Sequence, residues 1–237
     1  VYYWTDVKFS YDDLTKDHEY VTMQQADALC TEYISKLSGA LTPKLKLGLS
    51  MDHEQLKATY ECLKQKDDNL IQLLEEGRIP PVTDWSDADD LYVMEYEFTL
   101  GGLEILDKSE IQTVQQNDIM GVQIARPMYA EVQLNRDGVF YVNVECGQLS
   151  EALQTADIIG YEQALDRLEA YLSELIPSTG IVITGGYLQY VTLPSLDDFY
   201  SCTLTPMWCF TSDILYQDRR RAGPSYRFDA FTGEELK

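Results

Sequence analysis

One order of elements occurs twice along the chain, and this repeat limits the folds that the sequence can adopt. In each half, hydrophobic periodicity predicts an amphipathic helix followed by strands that alternate apolar and polar residues. The predicted elements are a helix at 22–38, a strand at 91–100 and a hairpin at 128–146, then a helix at 159–175 and strands at 181–193, 200–212 and 225–236. A helix on one face of an antiparallel sheet is a stable two-layer arrangement, so we predict an α+β fold of two related units.

The two predicted helices have similar patterns, "VTMQQADALCTEYISKL" and "IIGYEQALDRLEAYLSEL". Thr22 and Gln25 have the spacing of a capping box at the first helix, and Gly39 is placed to end it. Residues at helical spacing are expected to form the buried faces. These are Ala26, Leu29, Tyr33 and Leu37 in the first helix, and Ala164, Leu165, Leu168, Tyr171, Leu172 and Leu175 in the second.

The first copy is longer than the second because it contains an additional helical segment near residues 50–77. We interpret this segment as an insertion. The predicted units are residues 1–150, with the insertion, and residues 151–237. The sequence begins at Val1 within a strand-like stretch, so we expect a leader, an anchor and some folded sequence to precede it.

The net charge of −22, from 40 acidic and 18 basic residues, restricts the partners that the protein can bind. A field of this sign repels phosphate backbones and anionic membrane surfaces, so we expect no nucleic-acid binding and no direct membrane binding. Solubility is one explanation of the charge, and binding of cations or of a basic partner is another.

No motif in the sequence points to catalysis. The two histidines, His18 and His53, are not part of an HExxH zinc motif, and we interpret them as solvated or capping residues rather than ligands. The glycine-rich stretch 178–186 lacks a P-loop lysine, and we interpret it as the start of a strand with a β-bulge. A pair of carboxylates acting on glycosides is a spatial arrangement that sequence cannot locate among so many acids.

An aspartate-rich loop, "DWSDADD", is the candidate cation site. Calcium prefers several oxygen ligands on a flexible loop, but the spacing of an EF-hand is absent here. The weak candidate ligands are Asp84, Asp87, Asp89 and Asp90, and the alternative is a solvated acidic loop. We predict no cofactor.

A single basic cluster, "DRRRAGP", lies near the end of the chain. Its residues Arg219, Arg220 and Arg221 are candidates for contacting an acidic partner or lipid headgroups. The alternative interpretation is a charged loop between two strands.

The closing stretch "RFDAFTGEEL" resembles the last strand and turn of PepSY-type modules. Its residues Asp229, Ala230, Thr232, Gly233 and Glu234 match that pattern, in which the glycine adopts positive φ and the aspartate caps the turn. The helix "GYEQALDRL" is similar to the helix of the same module.

Two further stretches are similar to segments of Yyc-type regulators and of clostridial lipoproteins of unknown function. They are "LTPMWCF" and "YEFTLGGLEI", the latter with Glu104 where proline is usual. The resemblance covers roughly residues 91–237.

This resemblance implies an extracytoplasmic protein of a Gram-positive bacterium, attached to the cell surface through an anchor outside this chain. It also implies binding of an envelope protein or peptide, in a regulatory role, without enzymatic activity. We therefore expect a non-enzymatic interaction module. The alternatives are a small-ligand-binding lipoprotein and a carboxylate-dependent envelope hydrolase.

Overall fold

The computed structural model describes residue 9 and residues 11–105, 128–150, 157–174, 180–194, 202–216 and 219–235. The predicted strand at 1–10 lies almost wholly outside them, as does Leu175 of the second predicted helix. No helix among the described residues is long and apolar enough to cross a membrane.

The described residues confirm the predicted α+β class, with two antiparallel sheets and four α-helices. A short 3₁₀ turn, Tyr11–Leu14, precedes the helices α1 Met23–Ser35, α2 His53–Lys66, α3 Asp68–Glu75 and α4 Tyr161–Glu174. The strands are β1 Thr42–Met51, β2 Leu91–Leu100, β3 Leu103–Glu104, β4 Tyr129–Asn135, β5 Gly138–Glu145, β6 Gly180–Pro194, β7 Cys202–Tyr216, β8 Arg219–Ala222 and β9 Tyr226–Asp229.

The chain divides into two compact units. Of the described residues, the first unit takes those within Val1–Gly39, Pro43–Glu97 and Ala130–Val144. The second unit takes those within Ala40–Thr42, Phe98–Tyr129 and Glu145–Lys237.

The first sheet has the strand order β1-β2-β4-β5, with β3 paired to the end of β2. The alternation along β2 is partly as predicted: Tyr92, Met94, Tyr96 and Phe98 are buried, but Val93 is buried as well and Leu100 only partly. Gly101 and Gly102 form the turn between β2 and β3, and both have positive φ, as a tight two-residue hairpin requires.

Helix α1 packs on the first sheet, and its capping box is confirmed. The Thr22 side chain accepts from the Gln25 backbone, while the Gln25 side chain accepts from the Thr22 backbone. Tyr96 of β2 reaches the helix, because its hydroxyl donates to Asp27 Oδ1 at 2.9 Å. A Cβ at Gly48 of β1 would lie only 3.1 Å from Met23 Sδ, so this glycine permits close approach of the helix.

The predicted buried face of α1 was wrong except at Ala26. The buried residues are Ala26, Cys30 and Ile34, whereas Leu29, Tyr33 and Leu37 are 51%, 45% and 55% exposed. Both sets have the spacing of one helical face, and contact with the sheet decides which one is buried. The helix also ends before Gly39, at Ser35, with Lys36 as its C-cap.

The segment interpreted as an insertion forms two helices. Asp52 caps α2 in a second capping box with Gln55, and Asp67 caps α3. Tyr60 of α2 lies against Trp85, with ring centroids 5.7 Å apart, so α2 packs on the loop that leads to β2.

The second sheet has the strand order β6-β7-β8, with β9 paired to β7. Strands β6 and β7 pair along their whole length, and the register shifts between Ile183 and Gly185, which confirms the predicted bulge. Helix α4 packs on one face of this sheet. The buried cluster between them consists of Ala164, Leu168, Phe210, Tyr226 and Phe228.

The closing turn after β9 has the predicted geometry. Asp229 Oδ1 accepts from the backbone N–H groups of Phe231 and Thr232, both at 2.8 Å. Gly233 has a φ of +72°, and its N–H donates to the Asp229 carbonyl at 2.8 Å. The aspartate thus caps the turn, and the glycine supplies the left-handed conformation that closes it.

Replacement of Gly233 by alanine is expected to lower the free energy of unfolding by about 1–2 kcal/mol, because a side chain at positive φ is strained. The new Cβ would also lie 3.2 Å from Arg167 Nε and 3.3 Å from Ile159 Cδ1. Urea denaturation followed by circular dichroism measures the change. Gly147→Ala is the matched control, since its Cβ would meet only Met128 Cε at an ordinary 3.6 Å. Equal stability of the two variants would contradict the prediction.

Candidate functional site

Three of the four aspartates in the acidic loop have protein partners. Asp87 Oδ2 lies 3.0 Å from Arg136 Nη2, Asp89 caps the backbone of its own turn, and Asp90 faces both histidines. Asp84 is exposed. Within the described ranges, no group of three or more His, Cys, Asp and Glu side chains is arranged to hold a metal ion. The carboxylates of Asp87, Asp89 and Asp90 thus contact different partners and do not converge on one point.

Asp90 brings the two histidines of the chain together. Its Oδ1 lies 2.7 Å from the His53 backbone N and 2.9 Å from His53 Nδ1. Its Oδ2 lies 3.7 Å from His18 Nδ1. The side chains of His18, Asp90 and His53 are 8%, 16% and 30% exposed, so most of this cluster is shielded from water. One carboxylate therefore connects the segment before α1, the start of α2 and the start of β2.

Two tyrosines enclose His18. The Tyr20 ring stacks on the imidazole at 5.4 Å, and the Tyr92 ring meets it edge-on at 4.6 Å. The Tyr92 hydroxyl accepts from the His18 backbone N–H and donates to the Val21 carbonyl. The Tyr20 hydroxyl donates to the Asp90 carbonyl at 3.0 Å. Burial raises the pKa of both tyrosines, which keeps their hydroxyls neutral and able to donate.

The hydrogen bond to Asp90 raises the pKa of His53, against the opposing effect of burial. Charges on Asp90, Glu54 and Asp52 act in the same direction as the hydrogen bond. Protonated His53 donates from Nδ1 to the carboxylate, while its Nε2 lies 4.0 Å from Glu54 Oε1. Protonation of this histidine therefore strengthens the attachment of α2 to the beginning of β2.

The arginine cluster forms a strand, so its interpretation as a loop was wrong. Strand β8 pairs antiparallel with the end of β7, with Arg219 opposite Tyr216 and Ala222 opposite Asp213. Within the described part of the chain, β8 is the last strand in its order, so its outer edge is unpaired. All four of its residues are exposed.

The three guanidinium groups of β8 make no ion pair with any described residue. Arg219 and Arg221 share one side of the strand and Arg220 lies on the other, because side chains alternate along a strand. In a chain of net charge −22, this edge is a local concentration of positive charge with its donors available.

The connection that follows β8 is held tightly. Ser212 Oγ donates to the Pro224 carbonyl at 2.7 Å, and the Gly223 N–H donates to the Ser212 carbonyl at 2.8 Å. A Cβ at Gly223 would lie 2.5 Å from Ser212 Oγ. These contacts attach the segment after β8 to β7, so the position of the edge strand is fixed at this end.

No protein-family model matches the chain, and no curated protein matches it. Among solved structures, the chain is similar to the crystal structure of an uncharacterized protein from Eubacterium rectale ATCC 33656, with 14% sequence identity and a TM-score of 0.47. The match covers 95% of this chain and 58% of that protein, so the chain spans less than two thirds of its length.

Proposed function

We propose that this protein is a non-enzymatic binding module of the cell envelope, and that β8 binds an acidic, extended segment of a partner protein. The observation that carries this proposal is the exposed edge formed by Arg219, Arg220 and Arg221, on whose outer side no described strand pairs. An extended segment adds to such an edge through backbone hydrogen bonds, while side chains provide the specificity.

The geometry of β8 defines the segment that fits it. Four residues of strand span about 13 Å, so the partner contributes a short stretch. Because Arg219 and Arg221 lie on one side and Arg220 on the other, acidic residues are needed on both sides of the added strand. Three consecutive Asp or Glu residues meet this requirement. Arginine also binds carboxylates through paired hydrogen bonds, which favours an acidic segment over a neutral one.

Charged residues on edge strands also serve to prevent pairing between copies of a protein. That role does not explain this edge. With a net charge of −22, two copies already repel each other, and a cationic strand would attract the acidic surface of a second copy. The sign of the charge therefore favours an acidic partner.

The extracytoplasmic location is part of the proposal and rests on the resemblance to PepSY-type modules. The residues that carry it in the last strand and turn are Asp229, Ala230, Thr232, Gly233 and Glu234. In this setting the module binds an envelope protein and regulates it, attached to the surface through an anchor outside this chain.

Selection from a displayed library of random peptides of about eight residues is expected to enrich segments with three consecutive acidic residues. Replacement of Arg219, Arg220 and Arg221 by glutamine should then weaken binding of an enriched peptide at least about tenfold, by fluorescence anisotropy. The control replaces Lys57, Lys64 and Lys66 of α2 by glutamine, which removes the same charge elsewhere and should leave the affinity nearly unchanged.

Three outcomes would overturn the proposal. The first is a selection without acidic enrichment, and the second is equal weakening by the arginine and lysine variants. The third is arginine-dependent binding to anionic phosphatidylglycerol vesicles without peptide binding, which would assign the edge to a membrane surface. Sedimentation velocity distinguishes a further case, in which the arginines bind a second copy of this chain.

A further inference from the structure

A groove of about 300 Å³ lies beside the first half of α4, in the second unit. Its lining residues are Ile159, Gln163, Asp166, Arg167 and Ala170. Its size is at the lower end for small-molecule sites. The groove is separate from β8 in sequence and uses none of its residues.

Two of the five residues that line this groove are held by hydrogen bonds. The Ile159 N–H donates to the Ala230 carbonyl at 2.7 Å, and the Ile159 carbonyl accepts from Trp208 Nε1 at 3.0 Å. Gln163 Oε1 accepts from the Gly160 N–H at 3.1 Å, which orients this amide. These bonds hold Ile159 and the Gln163 oxygen in place before any ligand arrives, which lowers the entropic cost of binding, while the side chains of Asp166, Arg167 and Ala170 are exposed.

The closing turn leaves room for Arg167. A Cβ at Gly233 would lie 3.2 Å from Arg167 Nε and 3.3 Å from its Cγ, so the bare backbone packs directly against this side chain. The closing turn therefore packs against the side chain of Arg167, which is itself part of α4.

The groove presents opposite charges that do not neutralise each other. Asp166 and Arg167 make no ion pair with each other or with any other described residue. Consecutive helical residues point about 100° apart, which explains why both side chains line the groove without forming an ion pair with each other. Because Gln163 accepts through Oε1, its amide N–H groups remain as donors, one helical turn before Arg167.

We propose that this groove binds a small zwitterion, an α-amino acid with an aliphatic side chain. The carboxylate meets Arg167 and the amide of Gln163, the ammonium meets Asp166, and the side chain lies on Ile159 and Ala170. An anion alone is repelled by Asp166 and a cation alone by Arg167, so a ligand with both charges is the best complement. This proposal is independent of the acidic segment at β8.

The test is a titration of the isotope-labelled protein with L-leucine, N-acetyl-L-leucine and L-leucinamide, followed by ¹H–¹⁵N correlation spectra. Leucine should shift resonances around the groove, and each blocked compound should bind at least about tenfold more weakly, since each lacks one charge. In Arg167→Gln, leucine and leucinamide should bind equally. In Asp166→Asn, leucine and N-acetyl-leucine should bind equally, because this variant lacks the carboxylate that would meet the ammonium group of leucine. Arg167→Gln in the same way lacks the guanidinium group that would meet the carboxylate of leucine.

Glu169→Gln is the matched control, since this exposed residue lies on α4 outside the groove lining and its loss should leave leucine binding nearly unchanged. Equal binding of leucine and both blocked compounds to the wild type would overturn the proposal. The absence of any spectral change up to about 20 mM leucine would also overturn it, because a dissociation constant above that concentration is too weak for a specific small-ligand site. Binding of N-acetyl-leucine alone would assign the groove to the carboxyl terminus of a peptide and would also overturn it. The Arg219/Arg220/Arg221 variant should bind leucine normally, so failure here and failure at β8 are distinguishable.

Discussion

Replacement of Phe228 by alanine is expected to lower the free energy of unfolding of the second unit by about 3–5 kcal/mol, the usual cost of truncating a buried phenylalanine. Phe228 is 2% exposed and belongs to the cluster under α4. Its ring meets Phe210 and Tyr171 edge-on, at 6.2 and 6.3 Å between centroids. The cavity would therefore remove aromatic contacts from both the sheet and the helix.

Calorimetry measures this loss, and hydrogen exchange locates it. Amides of α4, β7 and β9 should exchange faster in the variant, because the cluster joins these elements. Phe140→Ala is the matched control: this phenylalanine of β5 is 55% exposed, and its truncation should cost less than about 0.5 kcal/mol. A loss at Phe228 no larger than that at Phe140 would show that α4 does not enclose the ring.

Replacement of Asp90 by asparagine is expected to lower the free energy of unfolding by about 1–3 kcal/mol, with the larger loss at acidic pH. Asparagine keeps the shape and still accepts from the His53 backbone, but it removes the charge that both histidines face. It also places an amide N–H₂ group where one carboxylate oxygen was.

The pH dependence follows from the raised pKa of His53 in the folded protein. Its protonation stabilises the fold fully below the ordinary histidine pKa of about 6.5, and this contribution is lost as pH rises through the raised value. The stability difference between wild type and Asp90→Asn should therefore be larger near pH 6 and smaller near pH 8.5, as measured by urea denaturation. Glu75→Gln, a change at an exposed residue of α3 that makes no ion pair with any described residue, is the control and should have a small effect at every pH. A difference that is constant with pH would contradict the role of His53.

Several local features could be predicted because the interacting residues are close in sequence. The capping box of α1 joins Thr22 and Gln25, and the closing turn joins Asp229 to Phe231, Thr232 and Gly233. Such contacts depend on backbone geometry over one turn, which residue types specify directly. The glycine pair at the β2–β3 turn belongs to the same class.

The buried face of α1 could not be predicted, because the sequence offers two apolar sets at helical spacing. The side chains of Leu29 and Tyr33 are at least as large as those of Ile34 and Cys30, yet only Ile34 and Cys30 are buried. The sheet makes the choice: the Tyr96 hydroxyl reaches Asp27, and burial raises the pKa of the Cys30 thiol to about 11. This contact spans 69 positions in the chain, a distance at which periodicity carries no information.

The candidate sites divide in the same way. The sequence alone determined the α+β class, the positive charge of residues 219–221 and the turn at Asp229–Gly233, since these depend on composition and neighbouring residues. Only the tertiary structure decided that Arg219–Ala222 is an edge strand whose outer side pairs with no other described strand, that Asp90 lies between His18 and His53, and that Asp166 and Arg167 line a groove. The physical reason is that burial, strand pairing and charge proximity arise from contacts between segments distant in the chain, which chain folding sets and local propensity does not.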